Sequence, residues 1–158
     1  MSNLSPIGLG DGSGTGQPVA ADNFIKVASN KRYLVDASDK PYYLTGLNYW
    51  ACLNLAADDD YGGNQTRFLT EMDQMAAVGV NHLRIMASSE GSPTPQKFRM
   101  LPALMPAPYQ WDEKIFVGLD RCVAEAGKRG MRLTMTLANT WQWSGGEWQK
   151  PSKIQRGY

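Results

Sequence analysis

The segments "MAAVGVNHLRIM" (Met75–Met86) and "AGKRGMRLTMTL" (Ala126–Leu137) decide the fold class. Each carries the end of an amphipathic stretch into a glycine and then into an apolar, strand-like run. Glycine ends a helix there by taking the left-handed conformation that other residues resist. A helix, a glycine and a strand, occurring twice, predict an α/β chain with a parallel sheet and helical crossovers. Outward from the first segment, Phe68, Leu69, Met72, Met75 and Ala76 recur at helical spacing, so a helix is expected from Gln65 to Gly79. Before the second, Asp112 is placed to N-cap a helix whose inner face holds Ile115, Phe116, Leu119, Cys122, Val123 and Ala126. That helix is expected to end at Gly130.

Upstream, "FIKV", "RYLVD" and "PYYLTGLNYW" are short runs rich in β-branched and aromatic residues, separated by the turn-forming "ASNK" and "ASDK". They predict a β-hairpin and then a buried strand ending near Asn48, followed by a polar loop, "NLAADDDYGGN". A long Pro-rich loop, "ASSEGSPTPQKFRMLPALMPAPYQ", follows Met86. Three parallel strands with two helices leave an open edge on the third strand and uncovered sheet faces. A marginal, aggregation-prone product is the expectation.

Composition narrows the function classes. The 158 residues are 42% hydrophobic, enough for one globular domain, and no apolar run reaches the roughly 18 residues of a membrane span. Sixteen Lys and Arg against fifteen Asp and Glu leave a net charge of +1, too little basic surface for nucleic acid. No membrane or nucleic-acid partner is therefore expected, and the oligomeric state is left open. Cys52 and Cys122 with the single His82 cannot make a four-ligand zinc site, so no metal or cofactor is expected. The two cysteines are read as buried free thiols, with one disulfide as the alternative. The Gly-rich start lacks the basic beginning and apolar core of a signal peptide, and contains no G-x-G-x-x-G. It is read as a flexible leader, residues 1–22.

The chemistry-bearing residues cluster at strand ends. Alternation in "VNHLRIM" puts His82 and Arg84 on one face and Leu83 and Ile85 on the other. Leu83 and Ile85 suit the helix side, which turns Arg84 inward near the C-terminal end of its strand. An inward guanidinium calls for a carboxylate or a ligand. His82 is read as a hydrogen-bonded core histidine. Asn48, Tyr49 and Trp50 follow the first strand of the sheet, and Asn139, Trp141 and Trp143 the third. Amides, an arginine and flat rings on one rim describe a cleft for an uncharged polar polymer. Asp58, Asp59 and Asp60 are read as a solvated charge run. Glu90 is placed to face the cleft, without a second carboxylate at a strand end to pair with it. Neither a Ser-His-Asp arrangement nor a phosphate loop occurs.

At "GLNYW", "GVNHLRIMASSEG" and "MTLANTWQWSGG" the sequence resembles glycoside hydrolase family 5, in particular the fungal endo-β-1,4-mannanases. The likeness runs from about Phe24 to Gly146. It implies the N-terminal part of a truncated TIM (β/α)8 barrel, its first three strands with the leading hairpin, over residues 23–146. Residues 147–158 are then a polar tail outside the family pattern. The resemblance implies a retaining, two-glutamate hydrolysis of β-1,4-mannosidic linkages, with β-mannan or a related β-1,4-glycan as partner and an extracellular setting. It further implies that Arg84 orients the nucleophilic glutamate, that Trp141 is an aromatic cleft residue, and that Asn48, Tyr49, Trp50 and Asn139 lie on the rim. The family's acid/base follows its fourth barrel strand in an Asn-Glu pair, and its nucleophile follows the seventh. Neither strand occurs here, and Glu147 has no preceding Asn. The chain is thus expected to contain no catalytic residue and to be inactive alone, a non-catalytic mannan-binding module being the alternative. The triplets "NLS" at Asn3 and "NQT" at Asn64 fit N-glycan acceptors.

Overall fold

A computed structural model describes residues 24–91, 99–139, 141, 143 and 144. The expected leader 1–22 and tail 147–158, with Asn3 and Glu147, lie outside the described residues. The chain divides after Tyr42 into two units.

The first unit is the expected hairpin, with shorter strands. β1 (Lys26–Val27) pairs antiparallel with β2 (Leu34–Val35), Lys26 opposite Val35. Lys31 takes a positive φ of 59° in the turn between them, where Asn30 Oδ1 accepts the Arg32 N–H at 3.0 Å. Asp36 organises the next turn, its Oδ1 accepting the N–H groups of Ser38 at 2.8 Å and Lys40 at 3.1 Å. Short polar side chains that replace backbone partners in this way favour turns over longer strands.

The second unit contains the parallel sheet. β3 (Gly46–Asn48), β4 (His82–Met86) and β5 (Arg132–Thr136) lie in that order, all parallel. Helix α2 (Gln65–Ala77) leads into β4 and α3 (Glu113–Lys128) into β5. Both helix starts are capped by side chains: Asn64 accepts from the Arg67 N–H and Asp112 from the Lys114 N–H. Gly79 (φ 83°) and Gly130 (φ 67°) follow the two helices in the left-handed region, as the two deciding segments require. Leu83 and Ile85 are fully buried with Phe68, Met72 and Ile115, which makes the helix side of the sheet the core.

Several expectations are corrected. A short helix not expected from the sequence, α1 (Cys52–Leu55), leads into the polar loop, with Cys52, Leu53 and Asn54 buried. Its approach to α3 depends on Gly118, where a Cβ would lie 2.0 Å from the Leu53 carbonyl oxygen. Across this contact Cys52 and Cys122 form a disulfide, Cα atoms 6.4 Å apart, instead of two free thiols. Helical spacing puts only Cys122 inward, and nothing local in the sequence shows that Cys52 lies on a helix facing it. Leu69 and Val123 belong to the exposed surface, at 37% and 43% accessibility. Leu69 flanks the Phe68–Met72 stripe, and Val123 lies about 100° around α3 from Cys122. The strand ending at Asn48 is exposed along its length, because among the described residues it is an edge strand. Parts of the Pro-rich loop pack on the core: among its described residues Ser88, Ser89, Glu90, Leu104 and Met105 are buried, whereas Leu101 and Tyr109 are exposed. Its two limbs are joined by Leu104 N–H to Ser89 Oγ at 2.8 Å and Met105 N–H to Ser89 O at 2.9 Å. Satisfied backbone groups let these two limbs be buried without regular structure. Asp58 pairs with Arg121 at 3.0 Å, and Asp59 Oδ1 accepts the Gln65 N–H at 2.8 Å. The acidic run therefore does local structural work besides being solvated.

Candidate functional site

Parallel register aligns the residues of interest. Asn48 stands beside Arg84, and Arg84 beside Thr134, on adjacent strands. All three turn away from the helices, and with Gly46, Leu47 and His82 they line an open groove. This is the face that becomes the interior when such a sheet closes. The pairing continues past the strand ends through Tyr49 N–H to Arg84 O at 2.8 Å and Ala87 N–H to Thr136 O at 3.0 Å. The rim is thus an extension of the sheet, which gives its side chains a rigid base.

Arg84 is partly exposed, and its Nη1 donates to Asn48 Oδ1 at 3.4 Å. It forms no ion pair among the described residues. Below it, His82 Nε2 shares a 2.8 Å hydrogen bond with Thr134 Oγ1, but His82 is half-buried in the groove lining and not the core histidine expected. Alternation in "MRLTMTL" already carries the signal for Thr134. Glu90 is corrected: it is fully buried and outside the groove lining. Its N–H donates to Trp143 O at 2.8 Å, and Arg99 donates to its carbonyl oxygen at 2.6 Å. No carboxylate lines the groove among the described residues.

The last residue of β3 and the residue after it face opposite ways. Asn48 faces the groove, whereas Tyr49 turns to α2 and donates from its hydroxyl to Glu71 Oε2 at 2.6 Å. Arg67 Nε holds the other carboxylate oxygen of Glu71 at 2.7 Å. Burial, and then the Glu71 carboxylate, push the Tyr49 phenol far above its ordinary range. Partial burial alone would raise Glu71, but hydrogen bonds from Tyr49 and Arg67 and the Arg67 charge outweigh it and hold the carboxyl below its ordinary range. The i, i+4 spacing of Arg67 and Glu71 is legible in sequence; their link to Tyr49 is not. Trp50 is 38% exposed.

After β5 the chain makes a tight turn. Asn139 N–H donates to Ser144 O at 2.9 Å, Ser144 N–H to Trp141 O at 3.0 Å, and the Ser144 hydroxyl to Asn139 Oδ1. Asn139 Nδ2 meets Met86 Sδ at 3.8 Å. The turn separates the two tryptophans: Trp141 is 55% exposed and Trp143 is 3% exposed, so Trp143 is a core residue and not a rim residue. Their rings still touch edge to face, with centroids 6.3 Å apart. An exposed ring, two amides and a guanidinium can bind polyhydroxyl chains by stacking and hydrogen bonding. They supply no acid or base.

Comparison with known proteins identifies the family. Residues 22–153 match the family described as GH family 5 beta-mannosidase-like. A glycoside hydrolase family 5 mannosidase from Rhizomucor miehei superposes with a TM-score of 0.72 at 45% identity, over 79% of this chain and 30% of that one. Another structure of that mannosidase, a mutant in complex with mannosyl-fructose, gives the same TM-score at 46% identity, over 79% of this chain and 30% of that one. Mannan endo-1,4-beta-mannosidase 8 of Oryza sativa subsp. japonica is 33% identical over 113 residues, 72% of this chain and 27% of that protein. The chain therefore spans about a third or less of the length of these relatives. The three-stranded parallel sheet is one sector of their barrel, and the chain belongs to glycoside hydrolase family 5, mannosidase-like.

Proposed function

We propose that this sector forms one wall of the sugar cleft in a retaining glycoside hydrolase that cleaves β-1,4-mannosidic linkages within mannan. We further propose that the 158-residue chain alone does not turn over its substrate. The observation that carries this reading is Arg84: a guanidinium on the inner face of the sheet, held by Asn48 and ion-paired with no carboxylate among the described residues. Arginine cannot shed its charge, and its planar fork matches a carboxylate. A glutamate brought to that fork would be oriented and kept ionised, as a nucleophile must be. Retaining hydrolysis needs this carboxylate and a second, protonated one about 5–5.5 Å away. The groove lining includes neither. Trp141, with Asn139 and Trp50, would stack and hydrogen-bond the glycan, Tyr49 would brace the rim from behind, and the enzyme would act outside the cell.

The names of the plant relatives favour cleavage within mannan. A groove lined by no carboxylate among the described residues also fits a second reading, a module that binds mannan without cutting it.

The test supplies the remaining barrel strands from the Rhizomucor miehei mannosidase and measures mannan hydrolysis beside the unsupplemented chain. Turnover should appear only in the completed barrel, and Arg84→Lys should lower it tens-fold or more, because lysine offers no planar fork. Unchanged turnover in Arg84→Ala would remove Arg84 from the site. Retention of the unsupplemented chain by mannan in affinity electrophoresis, lost in Trp141→Ala, would favour the binding module.

A further inference from the structure

We infer that Asn64 is an N-glycan acceptor, carrying a sugar chain on the helix layer of the second unit. Asn64 and Thr66 are both exposed and form the triplet "NQT" at the start of α2. The fold uses the Asn64 side chain through its oxygen. Its Oδ1 accepts the Arg67 N–H at 2.9 Å and caps the helix, while the Asn64 backbone N–H is taken by Leu55 O at 2.9 Å. N-glycosylation uses the other end, the carboxamide nitrogen, and leaves Oδ1 able to accept. The cap and the modification are therefore compatible in the same residue.

An independent feature points to the same compartment. The Cys52–Cys122 disulfide ties α1 to α3. Such bonds persist in the oxidising secretory route and are rare in the cytosol. A triplet that is surface-exposed in a protein of that route is accessible to glycosyl transfer. The donor is a lipid-diphosphate-linked oligosaccharide. A bond forms from Asn64 Nδ2 to the anomeric carbon, the bond from that carbon to the diphosphate oxygen breaks, and one amide proton leaves with the lipid diphosphate. The inference stands apart from the mannan reading, since it uses neither Arg84 nor the rim.

To test it, the whole chain with Asn3→Gln is directed into the secretory pathway of a eukaryotic host, so that only Asn64 can respond. Peptide mass is read before and after the amidase that releases N-glycans, in the medium and in the cell lumen. The Asn64 peptide should carry hexose and N-acetylhexosamine mass, and the amidase should leave a carboxylate at position 64. Thr66→Ala should abolish the modification while keeping the Asn64 cap, and Thr66→Ser should retain it. Because transfer acts on chain entering the lumen, a misfolded, retained pool still reports. An unmodified Asn64 peptide in both pools overturns the inference.

Discussion

The Tyr49 hydroxyl donates to Glu71 Oε2 at 2.6 Å, tying the residue that follows groove-facing Asn48 to the outer helix α2. The rim is therefore braced from behind the sheet. Glu71 titrates below its ordinary 4.5, so its contribution to stability is full above that value and is lost as pH falls through the lowered pKa. Tyr49 acts in the opposite sense: its contribution is full below its ordinary 10.0 and fades as pH rises above it. Tyr49→Phe should cost about 1 kcal/mol at neutral pH, the low figure reflecting a partly exposed carboxylate. It should also remove the alkaline loss and move Glu71 back towards 4.5. Urea unfolding as a function of pH, with and without the substitution, measures all three.

Trp141 and Trp143 are two residues apart and in ring contact, yet the first is 55% exposed and the second 3%. Their alanine variants should separate cleanly. Trp143→Ala should cost roughly 3–5 kcal/mol of stability through the cavity it leaves. Trp141→Ala should leave the unfolding midpoint nearly unchanged and, in the completed barrel, weaken mannan binding instead. Chemical denaturation and affinity electrophoresis, run side by side on the two variants, check the division.

Gly118 and Gly127 sit on the same helix with opposite surroundings. A Cβ at Gly118 would collide with the Leu53 carbonyl oxygen at 2.0 Å, whereas one at Gly127 would meet nothing within 4 Å. Gly118→Ala should therefore destabilise by about 1–3 kcal/mol. Gly127→Ala should stabilise by about 0.5 kcal/mol through the lower entropy of its unfolded chain. Comparison of the two denaturation midpoints decides it.

On β5 and just beyond it, Met135 is 42% and Leu137 is 68% exposed. Among the described residues, β5 pairs only with β4, so its other side offers unmatched backbone groups beside these apolar side chains. Such an edge recruits further strands. Concentration-dependent association is expected by light scattering, and Leu137→Lys should shift the population towards monomer. A monodisperse parent chain at high concentration would show that the edge is covered.

Local pattern alone determined a good share of this protein. The two helix-glycine-strand segments specify two crossovers and a parallel sheet, because glycine stops, Asp112 capping and apolar period all act within a few residues. Alternation within "VNHLRIM" also placed Leu83 and Ile85 in the core and Arg84 on the groove side, since side-chain direction in a strand follows from backbone pleat. Tertiary structure decided what local rules could not reach. The Cys52–Cys122 bond spans 70 residues, and it depends on α1 meeting α3 where Gly118 permits close approach. The burial of two limbs of the Pro-rich loop rests on Ser89 joining stretches distant from each other in sequence, and Tyr49 departs from the groove because Glu71 waits on another element. Trp141 and Trp143 share strand-like spacing, but the Asn139–Ser144 turn sends one outward and the other into the core. Period and propensity report the direction of a side chain relative to its own backbone; which partner stands in that direction is set only when separate elements pack.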